Sequence, residues 1–270
     1  MIMEKPIYDI VFVVLVYRNT DDLKDFFLHN HIKNSHTIVV NSYYDDASEG
    51  VFSKIAEENG ASFISVPNKG YGAGNNRGVE YALEHFEFEF LVISNADIMI
   101  GKMDLSALRK EGEVIIAPKI LTLKGKNQNP SSPFAPHLIS LKIMSILYEK
   151  GNRTLTWPMH VWSRLKKIFF YLISPVYRTV FSAHGAFVII PYGIIRKLHP
   201  LFNEEMFLEF EEQHLGMYAK SRGIKTRYAP DIVIRHKEDG SMKIASINEF
   251  EVQKQSFGVY YNYWFKNKKQ

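Results

Sequence analysis

Ile10–Val16 is an unbroken apolar, β-branched run, the pattern of a strand covered on both faces rather than one with a wet side. The same signature returns at Thr37–Val40, Ser62–Val66 and Phe90–Ser94. Between these runs the polar positions spread to helical spacing. Thr20–Asn30, capped by Thr20 or Asp21, Val51–Asn59, ended by Gly60, and Asn76–His85 are expected as helices. Strands separated by helices imply βαβ units wound into one sheet. Ligands of such sheets sit beyond the carboxyl ends of the strands. The polar residues falling there are Tyr17, Arg18, Asn19, Asn41, Asp46, Asn95 and Asp97.

Further along, Val114–Ile120, Ala183–Pro191 and Ile232–Ile234 also read as strands, and Glu211–Ser221 as a helix ended by Gly223. Lys124–Pro136 is a turn-rich loop holding Pro130, Pro133 and Pro136. The segment from His137 to Phe181 breaks the pattern. It sets Lys142, Lys150, Arg153, Arg164, Lys166, Lys167 and Arg178 against a single acid, Glu149. Ile143, Ile146, Leu147, Trp157, Trp162, Leu165, Ile168, Phe169, Phe170 and Leu172 are interleaved with them. Basic residues mixed with Trp, Phe and Leu suit a helix lying in an anionic membrane interface. The competing expectation is that these apolar residues pack on the sheet or form a contact between copies of the chain. Pro158 and Pro175 restrict any helix between them to a length too short to cross a bilayer.

Composition narrows the picture little. The 270 residues are 46% hydrophobic and 23% charged, as in an ordinary globular chain long enough to bury a full core. Cysteine is absent, which excludes disulfides, thiolate zinc sites and a thiol nucleophile. Met1–Asp9 carries Glu4 and Asp9 and no small-residue cleavage site, so a cytoplasmic chain is expected, with its basic segment at the inner face of the cell membrane. The net charge of +4 lacks the dense basic stripe of a nucleic-acid binder.

Three features carry candidate chemistry. The stretch Asn68-Lys-Gly-Tyr-Gly-Ala-Gly-Asn-Asn-Arg-Gly78 precedes a helix, where glycines permit close backbone approach and free N–H groups face an anion. Its spacing is neither the dinucleotide fingerprint nor a P-loop, and taken alone it is equally a turn. Asn95-Ala-Asp97 follows a buried strand and puts a carboxylate in the crevice, where a hard cation would favour oxygen ligands; alone, it reads first as an Asx turn. Glu209, Glu211 and Glu212 cluster at a helix start, positioned for general-base work or simply for the helix dipole.

In their order along the chain these segments resemble family 2 glycosyltransferases, especially the bacterial rhamnosyltransferase-like branch. The first strand ends Val14-Leu-Val-Tyr-Arg-Asn19, similar to the family's Val-x-Tyr-Asn. Asn68, Gly70, Gly74, Asn75, Asn76 and Gly78 match the family's Asn-x-Gly-x-x-x-Gly-Asn-Asn-x-Gly. Asn95-Ala-Asp97 falls at the family's metal motif, and Ser182–Ile190 resembles its Gly-Ala strand beside the acceptor. Phe207–Leu215 resembles Phe-x-Tyr-x-Glu-Asp-x-Asp-Leu, with Glu212 at the position of the catalytic base. Lys220-Ser-Arg-Gly223, Tyr228-Ala-Pro-Asp231 and His236 keep the family's spacing. Departures are Asn41 where the family has Asp, Asn95 in the metal motif, and His214 where a second Asp stands.

The resemblance, which covers Tyr8 to Ser241, implies a GT-A fold: an α/β, doubly wound, mostly parallel sheet flanked by helices, with a basic aromatic helical insertion. It implies a glycosyltransferase domain over 1–241, with a donor half at about 8–120, the insertion at 137–181, an acceptor half at 182–241 and a helical, basic tail at 242–270. The implied reaction is an inverting transfer from a UDP- or dTDP-linked sugar to a glycan or lipid-linked acceptor of bacterial surface polysaccharide. Glu212 is then the base, and Asp97 and His236 hold Mg²⁺ or Mn²⁺. Tyr17, Asn19, Asn41, Asp46, Gly74, Asn75, Asn76 and Asn95 contact the donor, and His184, Gly185 and Glu211 face the acceptor. Two alternatives stay open: an inactive nucleotide-sugar-binding partner subunit, to which the departures point, and a sugar nucleotidylyltransferase. The latter usually has a glycine- and basic-rich loop after the first strand, which Tyr17-Arg-Asn-Thr20 lacks.

Overall fold

The computed structural model describes residues 4–150, 157–174, 178–238 and 248–266. The apolar runs form the centre of one sheet. Strands β1 (Ile7–Val16), β2 (Ser35–Tyr43), β3 (Ser62–Pro67) and β4 (Glu87–Asn95) are all parallel where they pair. Val11, Val13 and Val14 are wholly buried because helices cover both faces. These helices are α1 (Thr20–His29), α2 (Asp46–Glu58) and α3 (Tyr71–His85). Asn19, rather than Thr20 or Asp21, caps α1, since its side chain accepts from the Asp21 N–H.

β4 is followed by β5 (Ile98–Lys102), α4 (Leu105–Glu111), β6 (Ile115–Thr122), α5 (Leu138–Glu149), α6 (Trp157–Ile173) and β7 (Thr179–Val180). Then come β8 (Phe187–Pro191), α7 (Tyr192–Leu198), α8 (Glu211–Ser221), β9 (Thr226–His236) and α9 (Glu249–Tyr261), which runs on into a π-helical turn at Asn262–Lys266. Among the described residues the sheet order is β3-β2-β1-β4-β8-β6-β9-β5, with β7 on β9. β8 runs antiparallel to β4 and β6. Its starting end, with His184–Ala186 just before it, therefore lies at the same sheet edge as the carboxyl ends of β1 and β4; Asn95 N–H donates to Ala186 O at 3.0 Å.

One expectation is corrected here. The glycine-rich stretch is not a loop before a helix that starts at Asn76: α3 starts at Tyr71, and Gly72, Gly74 and Asn75 are its first turns. Glycine inside a helix costs about 1 kcal/mol relative to alanine, and the packing explains its presence. A Cβ at Gly78 would stand 2.3 Å from Val13 Cγ1, and one at Gly74 2.5 Å from Leu15 Cδ1. The small residues let α3 lie directly on β1 and β2.

Residues 248–266 are tied into the domain. Phe257, Tyr260 and Trp264 are buried with Leu141 and Tyr148 of α5 and with Met206. His214 accepts from Trp264 Nε1–H at 3.0 Å, and burial lowers its pKa to about 4. It is a neutral packing residue that fastens α8 to the C-terminal helix, not a substitute for a carboxylate.

Candidate active site

A cleft of about 860 Å³ opens at the carboxyl edge of the sheet. It is lined by Tyr17 and Asn19 after β1, Asn95 and Asp97 after β4, His184 and Gly185 before β8, Glu211 and Glu212 at the start of α8, and His236 at the end of β9. These residues, separate in the chain, are brought together because each follows or precedes a strand at one edge.

Glu212 is held by two donors. Gly185 N–H donates to one carboxylate oxygen and Ser131 O–H to the other. Tyr71 O–H in turn donates to Gly185 O at 2.7 Å, linking α3, β8 and α8. His184 Nδ1 lies 3.7 Å from Glu212 but accepts from Ala186 N–H at 3.2 Å. Burial lowers the His184 pKa, so the ring is neutral with its proton on Nε2. Glu211 is only 3% exposed, and burial, with the charges of Glu212 and Glu209 added, raises its carboxyl pKa to about 8. Its Oε1 has no hydrogen-bond partner. Two adjacent carboxyls thus stand in different settings, one oriented by donors and one protonated at neutral pH.

The helix start carrying them is fixed by its approach. Glu209 and Phe210 both have left-handed backbone, at φ 75° and 67°, an unfavourable conformation for side-chain-bearing residues that surrounding contacts must hold. Tyr71 N–H donates to Phe207 O at 2.8 Å, and Ser256 Oγ–H on α9 donates to Leu208 O at 2.7 Å. Gly70, at φ 103°, permits the crossing, since a Cβ there would lie 2.1 Å from Phe207 O.

On the opposite wall His236 Nε2 lies 3.1 Å from Asp97 Oδ2, both side chains buried. His236 Nδ1 meets Gln128 Oε1 at 2.7 Å, and Gln128 Nε2–H donates to Glu238 at 2.8 Å. A carboxylate only accepts, so Glu238 fixes the amide with its oxygen toward His236, and Nδ1 must carry a proton. Nε2 faces the Asp97 carboxylate, and the two atoms come together with a proton or a metal ion between them. That donor set, one carboxylate and one imidazole of fixed tautomer, fits a divalent cation. Among the described residues no group of three or more His, Asp or Glu side chains gathers to hold a metal, so remaining ligands would come from bound diphosphate and water.

Several expected donor contacts lie elsewhere. Asn76 is fully buried: its amide donates to Phe202 O and Glu204 and accepts from Phe202 N–H. Asn75, also fully buried, donates to Tyr71 O at 3.0 Å, and Gly74 packs on Leu15. Of this stretch only Asn68, Gly70 and Tyr71 line the cleft. Asn41 is 1% exposed and donates to Ser65 Oγ at 3.1 Å, its Oδ1 buried without a partner. Asp46 sits on the exposed start of α2 and accepts from Tyr43 O–H at 2.6 Å. None of Asn41, Asp46, Gly74, Asn75 or Asn76 reaches the cleft wall.

Conversely, the cleft contains residues that no motif announced: Ser131, Glu238 and Lys167, with Gln128 just behind His236. Lys167 turns inward from α6, donates to Gln128 O at 3.2 Å, and has its pKa lowered by burial. The signal that could have separated it from Lys166 was its helical phase: the inward-facing Phe170 and Tyr171 follow Lys167 at three and four residues.

No family model matches the chain. A relative is the low-salt glycan biosynthesis hexosyltransferase Agl10 of Haloferax volcanii, 24% identical over 222 residues. That alignment covers 80% of this chain, but the chain spans only 63% of the relative. Solved structures of similar fold include GalNAc-T7 with UDP, GalNAc and Mn²⁺, at a TM-score of 0.55, 9% identity, 85% of this chain and 44% of that one. The mannosyltransferase PcManGT of Pyrobaculum calidifontis, in complex with GDP-Man and Mn²⁺, aligns at 0.53 and 12% identity over 96% of this chain and 70% of its own. Residues 1-349 of S. aureus TarS in complex with UDP-GlcNAc align at 0.52 and 14% identity over 88% and 61%. These likenesses show the GT-A fold.

Proposed function

We propose that this GT-A chain is a glycosyltransferase that moves a sugar, with inversion, from a nucleoside-diphosphate donor to a hydroxyl of a glycan or lipid-linked acceptor. The observation that carries the reading is the pairing of two walls across one cleft. His184 connects them: its Nδ1 lies 3.7 Å from Glu212, which Gly185 and Ser131 orient, and its ring centre lies 6.1 Å from that of His236, the partner of Asp97. A base and a cation site facing each other are what attack at an anomeric carbon and departure of a diphosphate require. The hexosyltransferase relative and the nucleotide-sugar complexes of similar fold agree with it. Membership of family 2 and a role in surface polysaccharide belong to the same proposal and rest on the motif order.

In this reaction the donor lies along the carboxyl edge, with its nucleoside near Tyr17 and Asn19 and its diphosphate near Asn95 and Asp97. A divalent cation bound by Asp97 and His236 supplies charge neutralisation at the diphosphate. Lys167, a partly desolvated cation in the same cleft, is placed to add to it. The acceptor approaches past His184, Gly185 and Glu211. Glu212 takes the hydroxyl proton as the acceptor oxygen bonds to the anomeric carbon, and the bond from that carbon to the diphosphate oxygen breaks on the opposite face. Protonated Glu211 can donate a hydrogen bond to an acceptor oxygen beside the base.

Thermal shift with a panel of nucleotide sugars and Mn²⁺ tests this directly, because a true donor stabilises by mass action. The expected result is a selective rise for one donor, followed by its hydrolysis or transfer. Binding without any turnover would instead support a non-catalytic partner subunit.

A further inference from the structure

The outward faces of α5 and α6 are apolar in a way that single surface residues are not. On α5, Ile139, Ile143 and Ile146 form one exposed stripe at helical spacing, while the opposite side buries Leu141 and Tyr148. On α6, Trp162, Leu165, Phe169 and Leu172 form a second, with Leu172 75% exposed and Phe170 wholly buried beneath. Contiguous apolar surface of this kind marks an interaction site rather than ordinary exposure. The Phe134 ring lies 6.2 Å from that of Phe169, centre to centre, and still leaves Phe169 56% exposed.

Charge selects the partner. α6 contains no acid, and Arg164 and Lys166 flank its stripe, with Lys166 Nζ 5.7 Å from the Trp162 ring centre. Lys142 and Lys150 flank the stripe of α5, against Glu149 alone. A second copy of the chain would set these cations against their like. An anionic bilayer offers both what the apolar stripes and what the flanking cations need. Among the described residues no helix is long and apolar enough to cross a membrane, so the helices would lie on it. α6 also borders the cleft, which Lys167 on its inner side lines.

We infer that the outer faces of α5 and α6 dock on an anionic lipid bilayer, with Trp162, Leu165, Phe169 and Leu172 entering the interface and Arg164, Lys166 and Lys142 meeting lipid headgroups. The surface corrects the sequence expectation in two respects: Lys167 and Phe170 are not part of it. The inference deepens the proposed function, because a cleft held at the bilayer favours a lipid-linked acceptor, and it rests on that reading only for the acceptor.

The test uses the full chain and vesicles of phosphatidylcholine with or without phosphatidylglycerol. Sedimentation with the anionic vesicles at low salt, and release by high salt, is expected because the attraction is screened. The double variant Arg164→Glu, Lys166→Glu should lower vesicle affinity about tenfold or more, with melting temperature and donor-induced thermal shift unchanged. Trp162→Ser with Phe169→Ser should weaken binding even at low salt. Failure of the wild type to bind anionic vesicles, with the donor shift intact, overturns the membrane surface and leaves the proposed function standing. A dimer in light scattering that Phe169→Ser dissociates, with no vesicle binding, also overturns it and assigns the face to a contact between copies.

Discussion

Asp97 Oδ2 lies 3.1 Å from His236 Nε2, and the hydrogen bonds behind the imidazole turn that nitrogen to the carboxylate. Glu238 orients Gln128, Gln128 claims the Nδ1 proton, and Nε2 is left to share a cation with the carboxylate. If the cation is a divalent metal, Asp97→Ala should weaken donor binding in Mn²⁺ and change it little in EDTA. Gln128→Leu, which removes the tautomer control together with the bond to Glu238, should lower Mn²⁺ affinity about 10–100-fold, the usual scale for a residue that supports a metal ligand. Calorimetric titration of Mn²⁺ in the presence of nucleotide reads both. Donor binding and turnover that ignore EDTA would reduce the pair to a buried ion pair.

Glu212 makes the proposed reaction depend on one carboxylate. Glu212→Gln keeps an acceptor for Gly185 N–H and a shape close to the original, so the local structure should survive. Turnover should fall about a hundredfold or more, the scale of general-base loss, with donor affinity held within about twofold. Near-normal turnover would move the base elsewhere, with Glu211 the neighbour to examine.

Glu211 gives a pH signature of its own. Its carboxyl titrates near 8 in the folded chain against an ordinary value of 4.5, chiefly because it is buried. The folded state thus binds more protons between those values, and stability falls as pH rises through that window. The residue's contribution is complete below about 4.5 and lost as pH passes through about 8. Glu211→Gln, neutral at every pH, should gain on the wild type as pH rises. Its melting temperature relative to wild type should climb by at least about 2 °C between about pH 5 and about pH 8. A difference that stays flat across that range would show that Glu211 titrates normally.

The sheet was legible because burial on both faces writes itself as unbroken apolar runs, as at Ile10–Val16 and Phe90–Ser94. Asp97, Glu212 and His236 stood out only through the order of motifs in the resemblance, since each read alone has an ordinary explanation: an Asx turn, a charged first helical turn and a lone imidazole after a strand. Gln128 was not legible: a neutral amide in a turn-rich loop acquires a role only through contact with His236, 108 residues away. The start of α3 was hidden for the opposite reason, since glycine opposes helix locally while the packing of α3 on β1 demands it. A stretch spaced by such packing reads in sequence like a ligand loop.

Asn76 turns that last distinction into a measurement. The motif resemblance assigns it to the donor, whereas its amide is spent on Phe202 N–H, Phe202 O and Glu204 and has no face on the cleft. Asn76→Ala would leave a buried N–H and a buried carbonyl of Phe202 without partners, each costing about 1–3 kcal/mol. The variant should lose about 2–4 kcal/mol of stability in denaturant titrations, on the same principle. At temperatures where it remains folded, its donor affinity should stay within about twofold of wild type, because α3 only carries Gly70 and Tyr71 to the cleft. Loss of donor affinity with stability intact would return Asn76 to the donor site and undo the packing account. Gly78→Ala is the companion variant. It meets Val13 and Val40, both fully buried and unable to turn aside, and should cost about 1–3 kcal/mol by overpacking with the same indifference in donor binding.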